Sequence, residues 1–343
     1  MKILFLDDRP MHVGSKRVFI YNMYDTLKSL HYNVKLNEPI DDSFNIIILG
    51  KHLLHECKNI RKNIKHECLL GIVNPPNDDR MLAFKNILDF YISGSIEERD
   101  SLLKYNNNCI YYPLIETWFK KFKVHQEKEE LVIGYHGNHE HLKSFIPNIN
   151  WALEEFSKIT KIKLKIIAGN HNGSNEKWLI GKPNIEIEQV FWNQNTIENE
   201  LLDCDIGIVP NIVNLDKYTR DYIISYLDSR KKEGYKSDYI LRFKNKSNIG
   251  RALVFMQLGI PIIADFTPCH FDIIKMNETG YLAFSKEGWL DALIRLKNAN
   301  TRKLISTNAL EKINIEYNIK LHATRVYCEL EIFLKNLRNS TRT

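Results

Sequence analysis

The sequence predicts an α/β fold of two domains, each a parallel sheet with helices on both faces, facing one another across a cleft. Three observations carry this. Over about the first 115 of the 343 residues, short apolar strands alternate with helical stretches. The alternation stops at a charged segment, WFKKFKVHQEKEEL. A second alternating series then begins. Alternation of β and α implies a parallel sheet covered on both sides, the Rossmann-like arrangement. Ligands of such sheets bind beyond the carboxyl ends of the strands, so two facing domains offer two ligand surfaces and predict a two-substrate protein.

Taken in order, strands are expected at 2–6, 33–36, 45–49, 69–73, 90–92 and 109–112. Helical spacing of apolar residues marks 16–30, 52–64, 79–88 and 96–104. The charged segment 117–130 serves as a linker. Beyond it the pattern predicts a strand at 131–135, a helix at 141–160 and strands at 163–168 and 185–189. A short helix at 198–202 precedes a strand at 205–209. Residues 213–240 are polar and tyrosine-rich and read as an insertion or lid. The series resumes with a helix at 249–258 and a strand at 261–264, and the last stretch, about 40 residues, is helical. The domains are therefore expected at 1–125 and 126–320, with a final helix, 321–343, packing back on the first.

Composition narrows the class. The chain is 44% apolar and 26% charged, as in soluble globular proteins. Six cysteines are scattered without a C-x-x-C pair, which suits reduced thiols in a cytoplasmic protein. Two H-E-C triplets, at His55 and His66, have a spacing on a charged stretch that chance explains better than metal binding does. The chain enters a strand at once, so no signal peptide is expected. No apolar run reaches the roughly 20 residues that span a bilayer. The net charge of +6 suits either a solvated surface or peripheral contact with anionic lipid at the inner face of the membrane. No nucleic-acid-binding module is present.

Several constellations lie at predicted strand ends. After the first strand comes Asp7-Asp8-Arg9-Pro10-Met11-His12-Val13-Gly14-Ser15. An acidic pair here is the opening of a magnesium-binding receiver domain, but the third strand ends in Gly50 where such a domain needs an aspartate. Asp8 and His12 are the candidate catalytic residues, His12 as proton shuttle or hydrogen-bond donor, and an ordinary exposed loop histidine is the competing reading. Arg9, Gly14, Asn74 and Asp78 complete the acceptor side, although helix capping also explains Asn and Asp in the 74–80 loop. In the second domain, Gly137 and Asn138 sit in a histidine-rich turn (GYHGNHEH) whose glycine interrupts any metal-binding helix. Trp192 follows another strand, for packing or for a nucleobase slot. Arg242, Lys244, Lys246, Ser247, Asn248 and Arg251 crowd a predicted helix start, where free N–H groups and the dipole favour an anion such as a diphosphate. No metal site is expected.

The order DIGIVP, then KNKSNIGRALVFMQLGIPIIAD, then NETGYL resembles the C-terminal domain of retaining glycosyltransferases of the glycosyltransferase-B fold. More narrowly it is similar to the bacterial group acting on surface polysaccharides. ISGS at 92–95 and YYPLIE at 111–116 fit the N-terminal domain of the same fold. The resemblance implies a nucleotide-sugar co-substrate of UDP, GDP or CMP type, held mainly by the second domain. It implies a glycan or lipid-linked acceptor on the first domain, and no obligatory cofactor or metal. The family's two donor-site glutamates, eight positions apart, fall here on Lys246 and Val254. An apolar Val254 cannot accept hydrogen bonds from ribose hydroxyls. A catalytically silent binding subunit and a sugar-nucleotide epimerase on the same fold are the alternatives that this departure leaves open.

Overall fold

The computed structural model describes residues 1–76, 79–138, 142, 144–169, 182–212 and 249–340. The chain divides into two compact units, Met1–Thr117 with Tyr317–Thr343, and Trp118–Glu316.

In the first unit, six strands form an all-parallel sheet. They are β1 (Ile3–Leu6), β2 (Val34–Leu36), β3 (Ile46–Leu49), β4 (Leu69–Val73), β5 (Phe90–Ser93) and β6 (Cys109–Tyr111), in the order β2-β1-β3-β4-β5-β6. The period of two divides their side chains between two layers. Ile3, Phe5, Ile46, Ile48, Phe90 and Ile92 pack on one face beneath α1 (Asn22–Ser29) and residues of the C-terminal helix. Leu4, Ile47, Leu49, Leu70, Ile72 and Tyr91 pack on the other, with Cys57 of α2 (Cys57–Lys62) and Leu102 of α3 (Ile96–Leu102). Burial on both faces explains why the strands read as unbroken apolar runs.

Helical detail departs from the sequence expectation. The stretch 16–30 opens as a π-helical segment, Lys16–Tyr21, before α1. The 52–64 stretch is a 3-10 segment, Lys51–Glu56, followed by the short α2, and the 79–88 stretch keeps only a 3-10 segment, Asp79–Phe84. Apolar spacing of three or four suits all of these hydrogen-bond patterns, so periodicity does not choose among them.

The second unit repeats the plan. β7 (Glu130–Gly137), β8 (Lys161–Ala168), β9 (Glu186–Phe191), β10 (Ile206–Val209), β11 (Ile262–Asp265) and β12 (Tyr281–Ala283) form a parallel sheet in the order β12-β11-β10-β7-β8-β9. Leu131, Ile133, Tyr135, Leu164, Ile166, Ile206, Ile208 and Ile263 pack beneath α4 (Asn148–Ser157) and the helix Lys286–Leu296. The helix expected from 141 thus starts only after Pro147, which provides no N–H for a preceding turn. β12 is a three-residue strand, too short to show a period in sequence.

Other helices complete the described chain: α5 (Ile197–Leu202), α6 (Gly250–Gln257), α7 (Pro268–Ile273), α8 (Lys286–Leu296), α9 (Ala299–Glu316) and α10 (Ile319–Ser340). α10 belongs to the first unit, where Ala323, Val326, Leu330 and Leu334 enter the core. The charged segment ahead of β7 forms no regular element but is tied to the second unit. Lys123 N–H donates to Leu258 O at 2.8 Å, Arg302 Nη2 to Gln126 O at 2.7 Å, and Lys123 Nζ pairs with buried Asp205 at 3.1 Å. No helix among the described residues is long and apolar enough to cross a membrane.

Candidate functional site

The carboxyl end of β1 holds a charged cluster. Asp7, fully buried, accepts from Arg9 through its backbone N–H (3.1 Å), Nε (3.0 Å) and Nη2 (2.6 Å). Arg9 Nη1 donates to Ser15 Oγ at 3.1 Å, and Lys16 Nζ donates to Arg9 O. His52, one residue past the start of the 3-10 segment that follows β3, reaches across. Its Nε2 lies 2.6 Å from Asp8 Oδ1 and its Nδ1 3.6 Å from Asp7 Oδ1. The His52 hydrogen bond holds the exposed Asp8 carboxyl below its usual range. Gly50 makes room for this cluster, because a Cβ there would stand 2.2 Å from Asp7 Oδ2. The sequence reading of Gly50 registered a missing aspartate and overlooked the buried one that needs the space.

Asp7, Asp8 and His52 offer three ligand atoms within 4.8 Å of one another. Both oxygens of Asp7 already bond to the Arg9 guanidinium, so that carboxylate is neutralised without an ion. Arg17 anchors the same loop from below. Its guanidinium pairs with Glu116 at 2.5 and 3.0 Å in a buried fork, and its Nη1 lies 3.4 Å from Met11 O. Of the residues expected on this side, His12 and Gly14 are exposed, next to the cluster in sequence. Asn74 sits directly after β4 with φ +45°, a left-handed turn conformation that asparagine tolerates, and its N–H donates to Ile92 O. Asp78 lies outside the described residues. His52 was missed by the sequence reading, and its one local signal was its place just past the third strand end.

In the second unit a buried polar network joins the carboxyl ends of β7, β10 and β11. Arg251, in the first turn of α6, is 9% exposed. Its Nη2 donates to Pro210 O at 2.8 Å and to Asn211 Oδ1, while its Nη1 is buried with no acceptor among the described residues. Two carbonyl-type acceptors on the adjacent loop satisfy one end of the guanidinium, which offsets the cost of burying it. Asn211 Nδ2 donates to His270 Nε2 at 3.1 Å, and His270 Nδ1–H donates to Asp265 O at 2.9 Å. Asp265 Oδ2 accepts from the backbone N–H groups of Asn211 and Ile212.

Burial pushes the Asp265 carboxyl up to about 7 and pulls His270 down to about 4. His136 of β7 is likewise lowered by burial, to about 4, and its Nε2 donates to Arg251 O at 3.1 Å. Gly137, at the end of β7, has φ +136°, and a Cβ there would meet Arg251 Cδ at 2.9 Å. Asn138 is exposed, and its carbonyl accepts from the Tyr135 hydroxyl at 2.5 Å. Trp192 is half-buried beyond β9, its backbone N–H donating to Ala168 O. Gly137, Asn138 and Arg251 are thus brought together. Arg242, Lys244, Lys246, Ser247 and Asn248 lie outside the described residues. Val254 is buried at 7% exposure, and its apolar side chain has no acceptor to offer a ribose hydroxyl.

Solved structures similar to this chain include glycosyltransferases, and the fold of this protein is the glycosyltransferase-B architecture of two Rossmann-like units. The sucrose-phosphate synthase of Thermosynechococcus elongatus is 12% identical over 97% of this chain and 99% of its own, with a TM-score of 0.61. A glycosyltransferase from Rickettsia africae is 12% identical over 98% of this chain and 99% of its own, also at 0.61. HepE of Anabaena, solved with UDP and glucose, is 12% identical over 96% of this chain and 99% of its own, at 0.58. No protein-family model matches the sequence. No curated protein matches it either.

Proposed function

We propose that the chain is a glycosyltransferase that moves a sugar from a nucleotide-sugar to a hydroxyl of a glycan or lipid-linked acceptor, in surface-polysaccharide synthesis. The observation that carries this is the buried Arg251, whose Nη1 finds no acceptor among the described residues, in the first turn of a helix at the carboxyl ends of parallel strands. A cation in the first turn of a helix, where the helix dipole is positive, suits a phosphate oxyanion. The fold supports the reading, as does a neighbour solved with UDP-glucose.

In this reading the second unit takes the donor. Arg251 and the residues before α6, Arg242, Lys244, Lys246, Ser247 and Asn248, bind the diphosphate, and Gly137, Asn138 and Trp192 line the remainder. Buried Val254 leaves the ribose to another group. The first unit takes the acceptor at the Asp8, Arg9, His12 and Gly14 loop, with Asn74, Asp78 and His52. As the sugar's anomeric carbon leaves the diphosphate, the acceptor oxygen bonds to it. The acceptor proton passes to His12 or to the departing phosphate, and the cations stabilise the growing negative charge. Retention of anomeric configuration, independence from metal, and a cytoplasmic location with peripheral contact at the inner membrane face belong to the same proposal.

A calorimetric and thermal-shift comparison of UDP, GDP, CMP and dTDP tests it. One nucleotide is expected to bind and to raise the melting temperature. The matching nucleotide-sugar is then given a mixture of acceptors, and the product's anomeric configuration is read by proton NMR. Binding of none of the four removes the donor assignment. Binding without turnover or donor hydrolysis makes the chain a silent subunit.

A further inference from the structure

Arg251 is held by a chain of hydrogen bonds in which each link fixes the next. The carbonyl of Asp265 can only accept, so the 2.9 Å contact puts a proton on His270 Nδ1. The neutral ring then has a lone pair on Nε2, which takes the amide N–H of Asn211 at 3.1 Å. That contact sets which way round the amide lies, with Oδ1 towards Arg251 Nη2. Pro210 O takes a second bond from the same nitrogen. Nη1 is left over. His270 is fully buried, and burial keeps it neutral through the physiological range, as the chain requires.

We propose that Asn211 and His270 are positioning residues that orient the Arg251 guanidinium so that Nη1 presents itself to an oxyanion of a bound diphosphate. Resting on the donor reading above, this goes beyond it by assigning two residues that touch no substrate. Without the His270 acceptor the amide is free to turn, and an NH2 group would then face the guanidinium. Without Asn211 Oδ1 one of the two clamps on Nη2 is gone. Either change leaves a positive charge in place but lets it move, and a misdirected donor loses most of a charge-assisted bond.

Inorganic pyrophosphate is the probe, with its affinity measured calorimetrically on the full chain alongside UDP, GDP, CMP and dTDP. Asn211→Leu is expected to weaken pyrophosphate about 10-fold, on the scale of one charge-assisted hydrogen bond. In an Arg251→Met background the same change is expected to have no further effect, because Asn211 acts through Arg251. His270→Leu should reproduce the loss, and His270→Gln, which keeps an acceptor for Asn211 Nδ2, should restore most of it. That pair carries the test if Asn211→Leu does not fold. Pyrophosphate binding that no nucleotide shares, but that follows this pattern, upholds the positioning role and removes the nucleotide reading. Losses that add to that of Arg251→Met, an equal loss in His270→Gln and His270→Leu, or no pyrophosphate binding to the wild type, each overturn the proposal.

Discussion

Gly137→Ala tests the second unit's site at its tightest point. Gly137 closes β7 with φ +136°, a conformation that other residues adopt only under strain. That strain costs about 1–3 kcal/mol. The added methyl would also stand 2.9 Å from Arg251 Cδ and 3.3 Å from the Tyr135 hydroxyl oxygen, so the Arg251 side chain must give way. Overpacking of this kind costs about 1–3 kcal/mol, and part of it relaxes through the arginine's flexible stem. A total of about 2–4 kcal/mol is expected. All five tryptophans (Trp118, Trp151, Trp178, Trp192 and Trp289) fall between 118 and 316, so tryptophan fluorescence reports on the second unit alone. Thermal unfolding followed this way should fall by roughly 5–10 °C for a unit of this size. Displacing Arg251 should also weaken nucleoside diphosphate binding about 10-fold. The exposed neighbour substitution Asn138→Ala should leave the melting temperature unchanged. A Gly137→Ala protein that melts like wild type refutes the backbone assignment. One that melts early but binds nucleotide normally refutes the part given to Arg251.

Other substitutions and conditions separate the remaining roles. Arg17→Met leaves the Glu116 carboxylate buried without its main partner and should cost the first unit about 3–5 kcal/mol, read from amide exchange of β1. His12→Ala should lower turnover at least ~100-fold with nucleotide affinity nearly unchanged; normal turnover makes His12 an ordinary loop residue. Activity should survive EDTA, and a complete loss restored by magnesium or manganese counts against metal independence. Stability of the second unit should fall as pH drops. Folded His136 and His270 titrate near 4 against 6.5 when unfolded, so between those values the unfolded chain holds the extra protons. Half-buried His125, also lowered by partial burial, acts in the same direction. Asp265 opposes them, because its folded value near 7 lies above 3.8 and the folded chain holds its proton in that window. Asp265→Asn should therefore steepen the acid loss by about 1.4 kcal/mol per pH unit near pH 5, measured by denaturation across pH 4–7. An unchanged slope contradicts the assignment.

The inner strands of both sheets were legible because they are buried on both faces and so stand out as short apolar runs between polar breaks, whereas β9 is partly exposed along its length and β12 is too short to stand out. The strand ends were legible for the same reason, and with them the 7–15 loop, Gly137 and the start of α6. Helix type was not, since spacing of three or four residues fits a 3-10, α or π turn and only packing against the sheet chooses. Lys16–Tyr21 and Asp79–Phe84 show this.

By itself, the sequence determined two Rossmann-like units and the loops at which ligands are expected, because periodicity and turn residues are local properties of the chain. Tertiary structure alone decided which residues meet there. His52 pairs with Asp8 across 44 positions, Arg17 with Glu116 across 99, and Asn211 reaches His270 across 59. A histidine or arginine acquires its role from a partner brought alongside by parallel strand pairing, and no short-range pattern records that partner. Arg251 is the clearest case: in sequence it is one more cation at a helix start, and in the fold it is buried, with Nη2 held by Pro210 O and Asn211 Oδ1 and Nη1 without an acceptor among the described residues.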